Sequence, residues 1–362
     1  MYRINLRDFV LCSGILLLGG CTSIGPDSVK KVHFRYNDAI TKTSNEQLVV
    51  NLVRGRYRDS FNFVEITNIL NASKSTMRVG VGPNGTKFGF DKNKGHIDFG
   101  PFGHGEVFDN PTVTYVPLRG DQYAQRMTSP IPIVTILGLI EGGWNLKRVF
   151  NLCVERINHL DNASTASGPT PTKKPDYEQF AEAVELIETL HKQNHLIMGI
   201  KNREVMVFKF TNSDSQSQKL KSFLGIDPNS SEFYFSSNFL DADANLTIRT
   251  RSAMEVLFYL SHAVYVPKRD IDAGLVTVTK DDDGKVFDWH KNLTGEWINI
   301  YCSEGKERPQ NAYVSIFYRG AWFYIRDNDL NSKSTFMLFN HLLNLQSGKL
   351  AQFAPMLAVS TN

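Results

Sequence analysis

Cys21, preceded by Leu18-Gly19-Gly20, constrains this chain more than any other stretch. Arg3 and Arg7 stand before an apolar run from Phe9 to Leu18, and small residues and the cysteine close it, which is the three-part order of a bacterial export signal. The run is shorter than the ~20 apolar residues that span a bilayer. Gly19 and Gly20 leave the backbone open to a peptidase, and the thiol of Cys21 is the side chain here that can be alkylated by a diacylglyceryl group. The expectation is cleavage between Gly20 and Cys21 and attachment of the chain to membrane lipid through Cys21. One acyl chain at ~0.8 kcal/mol per buried methylene holds weakly, whereas two or three hold stably.

Removal of residues 1 to 20 takes away Arg3, Arg7 and Asp8, leaving 38 basic against 36 acidic side chains. Near-balance of this kind argues against a nucleic-acid binder, which concentrates basic residues on one face. Hydrophobic content of 41% and aromatic content of 11% are those of a folded chain, and the length suffices for one large core or two modest ones. Cys153 and Cys302 are the remaining thiols, in a compartment where disulfides persist. A bridge between them and two separate buried thiols both stay open, because Cys153 falls on a helical pattern and Cys302 ends a strand pattern.

Along the chain, residues 21 to 35 are small and polar, as a tether would be; Ser28-x-x-Lys31 has the text of a nucleophile motif but no pocket around it. A long amphipathic helix is expected from Tyr36 to Tyr57, capped by Asn37, with Arg54, Arg56, Arg58 and Asp59 crowding its end. These arginines are read as a solvated helix terminus, with a partner-binding patch as the sharper alternative. Residues 61 to 118 shift to strand periodicity, with a hairpin signal at Pro83-Asn84-Gly85 between Met77-Arg78-Val79 and Phe88-Gly89-Phe90. Gly80-x-Gly82-x-x-Gly85 matches a dinucleotide fingerprint in text, yet strand rather than helix follows it. Leu146 to Leu160 reads as helix after a break at Gly142-Gly143-Trp144, and residues 161 to 175, rich in Ser, Thr, Gly and Pro, as a mobile loop or an inter-lobe linker. Beyond it helices and strands alternate: a helix opening at Asp176, strands at 196–200, 204–210, 232–236 and 246–250, and a helix opening at Ser252. A strand is expected over Glu296 to Cys302, then a tight hairpin at Arg319-Gly320-Ala321. A final helix is capped by Ser332 or Ser334, with an edge strand at Met356 to Val359.

Three groups are candidates for chemistry. Asp327 and Asp329, with Ser332, Lys333 and His341 near in sequence, compose an acid–base set on paper, although residues of this kind serve equally as turn formers and caps. His96 and His104 lie with Asp98 and Glu106 in a glycine-rich loop that could in principle fold round a metal, but no coordination geometry is fixed by their spacing. No Gly-x-Ser-x-Gly elbow, His-Glu-x-x-His helix, phosphate-binding loop or Cys-x-x-Cys pair is present in the sequence. No cofactor is expected.

The stretch Leu18 to Cys21 resembles the lipobox of bacterial lipoproteins. In that class an Asp after the cysteine is the usual inner-membrane retention signal, so Thr22 implies the outer membrane, on its periplasmic face or at the cell surface. Further blocks are similar to those of a family of uncharacterised Gram-negative lipoproteins: Tyr36-Asn37-Asp38-Ala39-Ile40, Asn45-Glu46-Gln47-Leu48 and Asn51-Leu52-Val53-Arg54-x-Arg56-Tyr57-Arg58-Asp59. Leu118-x-Gly120, Ser129-Pro130-Ile131-Pro132, Gly143-Trp144, Tyr318-Arg319-Gly320-x-Trp322-Phe323-Tyr324-Ile325 and Ser332-Lys333-x-Thr335-Phe336 resemble its later blocks. Arg326-Asp327-Asn328-Asp329 stands where that pattern has two acids before an arginine. The resemblance implies a cell-envelope lipoprotein and carries no activity. The expectation is an α+β chain of mixed helices and largely antiparallel sheets: signal 1–20, tether 21–35, a lobe over 36–160, a flexible linker or loop over 161–175 and a second lobe over 176–362. Its role is read as binding an envelope protein or building an envelope assembly, with a periplasmic hydrolase using Asp327, Asp329 or His341 as the alternative.

Overall fold

The computed structural model describes residues 26–78, 90–91, 96–99, 103–117, 119–201, 205–237 and 245–347. Gly20, Cys21, the glycine fingerprint at 80–85 and the edge strand expected at Met356 to Val359 lie outside them. The fold is α+β. It divides into two compact units, Asn62–Gly120 and the remainder of the chain.

In the smaller unit, β1 (Val64–Arg78), β2 (Phe90–Asp91), β3 (His96–Phe99) and β4 (Gly103–Pro117) form one sheet in the order β1-β4-β3-β2. The hairpin expected at Pro83-Asn84-Gly85 lies outside the described residues. β1 pairs with β4 along nearly its whole length, from Val64 opposite Pro117 to Arg78 opposite His104, and pairing of side chains across the strands carries the stability of such a ladder.

The larger unit opens with α1 (Pro26–Tyr57). The helix starts ten residues before the expected start at Tyr36, with Pro26 at its first position, where the missing N–H costs nothing; much of the expected tether is therefore helical. Leu48, Val49, Leu52 and Val53 are buried, and this stripe packs on α7 (Ala253–Ser261) and β12 (Ala312–Tyr318). α2 (Asp121–Thr128), α3 (Ile133–Glu141) and α4 (Leu146–Cys153) follow. The helix expected to run to Leu160 ends at Cys153, and the chain passes into β5 (Val154–Ile157) and β6 (Leu160–Asp161). Val154 and Ile157 are drawn into the sheet by β10 (Leu246–Thr250), which pairs Ile248 with Ile157; β-branched side chains fit that surface better than a helix.

β5, β6 and β10 belong to a six-stranded mixed sheet of order β6-β5-β10-β9-β8-β7, with β7 (Leu196–Lys201), β8 (Val205–Phe210) and β9 (Glu232–Ser236). α5 (Glu178–Lys192), flanked by α6 (Ser215–Leu224), and α3 pack near its β7 edge. Phe208, Phe233 and Phe235 are buried, Phe208 and Phe235 with ring centroids 4.6 Å apart. Of the two readings of residues 161–175, the loop holds and the linker does not, since the segment and both its flanks lie within the larger unit. Asn162, Ala163, Ala166 and Thr170 are buried, Ser164–Ser167 form a 3-10 turn, and the Asn162 amide donates to the carbonyls of Asn151 and Val154. Small polar residues here fill space that bulky ones cannot, so their composition misleads about mobility.

After α8 (Lys268–Asp272) the chain makes a single π-turn at His290–Thr294, and Gly295 is required there: a Cβ at that position would lie 2.1 Å from the His290 carbonyl oxygen. The strand expected over Glu296 to Cys302 contracts to β11 (Tyr301–Ser303). β12 and β13 (Ala321–Arg326) form the expected hairpin, and α9 (Leu330–Ser347) closes the described chain.

Candidate functional site

β11, β12 and β13 make a three-stranded sheet of order β11-β13-β12 with two unlike faces. Along β13, Ala321, Phe323 and Ile325 are buried, whereas Trp322 and Tyr324 are half-buried and Arg326 is exposed. The register sets Tyr301 opposite Tyr324 and Cys302 opposite Phe323, and on the other side Ser315 opposite Tyr324 and Phe317 opposite Trp322. Because side chains alternate across a strand, Phe323 and Cys302 share the inner face, which packs against the end of α1; the Tyr57 ring meets Phe323 edge-on at 6.4 Å. The outer face carries Phe317, Trp322, Tyr324, Tyr301 and Arg326.

That outer face is an ordered aromatic row. Phe317, 57% exposed, meets Trp322 edge-on at 5.3 Å, and the Trp322 indole N–H donates to the Lys306 carbonyl. Tyr301 and Tyr324 lie 5.8 Å apart. Tyr265 lies parallel to Tyr301 at 5.5 Å and stacks on His290 at 3.5 Å, and the Arg326 guanidinium lies 3.9 Å from the centre of the Tyr301 ring. Burial pushes the His290 imidazole below its usual pKa, and its Nδ1–H donates to Asn299 Oδ1 at 3.2 Å, an amide oxygen that can only accept. Beside Tyr324 and Arg326 opens a cleft of about 610 Å³, lined also by Gln310, Asn311, Asp327 and Asn328. A second cleft of about 310 Å³ is lined by Arg156, Arg249 and Glu255. Both of its arginines are engaged, Arg156 with Asp161 at 2.9 Å and Arg249 with the buried Glu155 at 2.5 Å.

The inner face is fixed to α1 by polar contacts. Tyr57 donates to Asp270 Oδ2 at 2.5 Å, and Asp59 accepts from the Tyr318 hydroxyl at 2.7 Å and from the Arg319 guanidinium at 2.9 Å. Arg319 also lies over the Tyr57 ring at 4.9 Å. Burial, then the Asp270 acceptor, raises the Tyr57 phenol above its usual pKa, so it stays a donor.

The residues singled out in the sequence scatter. Asp329 accepts from the Ser332 N–H at 3.0 Å and its hydroxyl at 2.6 Å. Asp329, rather than Ser332 or Ser334, therefore caps α9. Asp327 pairs with Lys333 at 2.7 Å. His341 is exposed on α9, ~18 Å along the helix from Asp329 at 1.5 Å per residue; no acid–base set is assembled. His96 and His104 lie on neighbouring strands, with His96 opposite Glu106 and Asp98 opposite His104. Among the described residues, no group of three or more His, Cys, Asp and Glu is placed to hold a metal.

Cys153 and Cys302 are separate free thiols, so the disulfide alternative is not realised. Burial pushes Cys153 up to about 12 and also raises Cys302, which has Glu304 and Asp270 near it. The arginine patch is likewise corrected. Arg56 is buried and donates to Thr170 Oγ1 and the Thr277 carbonyl, Arg58 donates to the Thr170 carbonyl, and Arg54 donates to Asn51 Oδ1. Burial lowers the Arg56 pKa to about 10. Arg56 and Arg58 hold the 161–175 segment against the end of α1, Arg56 from a buried position and Arg58 from an exposed one.

Tyr265, His290, Tyr301 and Arg326 were not foreseen as a site. The signal available was the hairpin itself, where Phe317, Trp322 and Tyr324 fall on alternate positions of what must be one face; the sequence does not say that this face is the open one. Comparison with protein-family models, with curated proteins and with solved structures gives no match for this chain. No helix of the described residues is long and apolar enough to cross a membrane.

Proposed function

We propose that this chain is an envelope lipoprotein, acylated on Cys21 and held at the outer membrane, whose folded body binds another component of an envelope assembly. The anchor half of this reading is supported by Arg3, Arg7, the Phe9 to Leu18 run and Leu18-Gly19-Gly20-Cys21, with Thr22 in place of a retention Asp. The sequence blocks similar to uncharacterised Gram-negative lipoproteins agree with it. The binding half is carried by the outer face of the three-stranded sheet, where aromatic side chains that normally fill cores stand open: Phe317 is 57% and Tyr265 37% exposed. Apolar surface held open in this way marks an interaction site. Asp327, Asp329 and His341 are committed to a turn, a cap and an exposed helix face, and lend a hydrolase no support.

The test is metabolic labelling with palmitate followed by membrane fractionation of the wild-type chain and of Cys21→Ser. The wild type takes up label and fractionates with the outer membrane; C21S takes up none and leaves that fraction. Equal labelling and fractionation of the two forms overturns the anchor.

A further inference from the structure

We propose that two copies of this chain pair through the outer edge of β1, strand against strand, about a two-fold axis at Leu70. Neither acylation of Cys21 nor the aromatic row enters into this contact. β1 stands at the edge of its sheet, and among the described residues no strand pairs with its other side. It runs for 15 residues, where an ordinary strand has about 5–6. An edge of that length is a template for another strand unless something blocks it. β4 is blocked: beyond the stretch covered by β3 it carries Pro111 and Pro117, which have no N–H to offer a neighbour. β1 has no proline.

The prolines also set which backbone groups lie at the edge of β1. Because they cannot donate to the ladder, Pro111 and Pro117 occupy positions turned away from β1, and a residue opposite such a position is turned away as well. Asn71 stands opposite Pro111, so Asn71 and its alternates Ile69, Ser73, Ser75 and Met77 direct N–H and C=O to the outer edge. One extra residue, Thr67, interrupts the register between Ile66 and Asn68, and it shifts the alternation so that Ile66 joins that set.

Antiparallel pairing of this edge with itself, centred on Leu70, sets Leu70 opposite Leu70 of the second copy, Ile69 opposite Asn71 and Ile66 opposite Ser73, every pair matched in hydrogen-bonding type. Next along the strand, Glu65 falls opposite Lys74, and by symmetry Lys74 falls opposite Glu65. The match depends on the bulge. Glu65 and Lys74 are nine positions apart, which on an unbroken strand means opposite faces; Thr67 returns Glu65 to the face of Leu70 and Lys74. Within their own sheet Glu65 is opposite Val116 and Lys74 opposite Phe108, so neither charge has its complement directly across the ladder. A strand whose charges complement its own reverse selects a second copy over an unrelated chain.

The full chain, purified in detergent, is tested in two ways. Leu70→Cys places the two thiols at a non-hydrogen-bonded pair, where Cα atoms lie ~4.5 Å apart, within disulfide reach. Lys74→Cys places them ~27 Å apart, at ~3.4 Å per residue. Mild oxidation with copper phenanthroline should link L70C into a reductant-sensitive dimer and leave K74C and the wild type, which keep Cys153 and Cys302, unlinked. In sedimentation velocity, Glu65→Lys should weaken the dimer by about tenfold, since two complementary pairs become two like-charged ones. Adding Lys74→Glu should restore it, which shows that the single change did not act by unfolding. The proposal is overturned if the wild type sediments as a monomer, if L70C links no better than K74C, or if E65K and E65K/K74E dimerise alike. None of these readouts passes through palmitate labelling or the aromatic face, so failure here leaves both of those readings standing.

Discussion

Arg251 is fully buried, yet among the described residues it hydrogen-bonds no carboxylate; its guanidinium donates to the carbonyls of Asn151, Leu152, Val154 and Asn162 and to Ser167 Oγ, over the face of Tyr259 at 4.2 Å. It collects the orphan carbonyls where α4 ends and β5 begins. A lysine cannot span that set, so Arg251→Lys is expected to cost at least ~3 kcal/mol, through unsatisfied buried groups, read as a fall in the urea midpoint. His262 lies nearby, stacked on Trp289 at 4.3 Å, donating through Nε2 to the Ala166 carbonyl and facing Thr170 Oγ1 through Nδ1. Burial pushes its pKa down to about 3, below the ~6.5 of an unfolded chain. The neutral ring therefore favours the fold: this contribution is complete above pH ~6.5 and shrinks as the pH falls toward 3, by up to about 1.4 kcal/mol per unit. Urea midpoints measured between pH 7 and pH 4 should decline more steeply for wild type than for His262→Gln; parallel declines would refute the assignment.

At the scale of elements, the hairpin and the last helix show how far local signals reach. Arg319 and Gly320 take φ of 47° and 76°, both positive, which is the mirror turn that suits a two-residue hairpin. The hairpin was legible because a glycine between two aromatic runs admits few other conformations. α9 was legible as a helix, but its cap was not, since Ser332, Ser334 and Asp329 all qualify by type and only the backbone decides which one meets the first free N–H. Asp329→Ala is expected to cost about 1 kcal/mol, with the urea midpoint as the measure, whereas Ser334→Ala should cost less, its hydroxyl donating only to the Leu330 carbonyl. Leu146 to Leu160 marks where reading by period stops. Its apolar spacing suits a helix throughout, and the switch to strand at Val154 is imposed by β10, about ninety residues away in sequence.

For the whole molecule, the sequence by itself determined the order of most helices and strands in the larger unit, the α+β class and the expectation of an anchor at Cys21. Each of these depends on neighbours within a few residues: an apolar period, a capping side chain, a glycine turn, a run of small residues before a cysteine. Tertiary structure alone decided the rest, because burial depends on which distant segments meet. It made residues 161–175 a loop pinned to the core rather than a linker between lobes, since Asn162 and Thr170 find partners in α4 and α1. It took Arg56 from a surface patch to a buried donor. It parted Asp329 from His341 by the length of a helix, and it left one face of the β11-β13-β12 sheet open while α1 covered the other, which is why an aromatic row that reads as core in sequence stands at the surface.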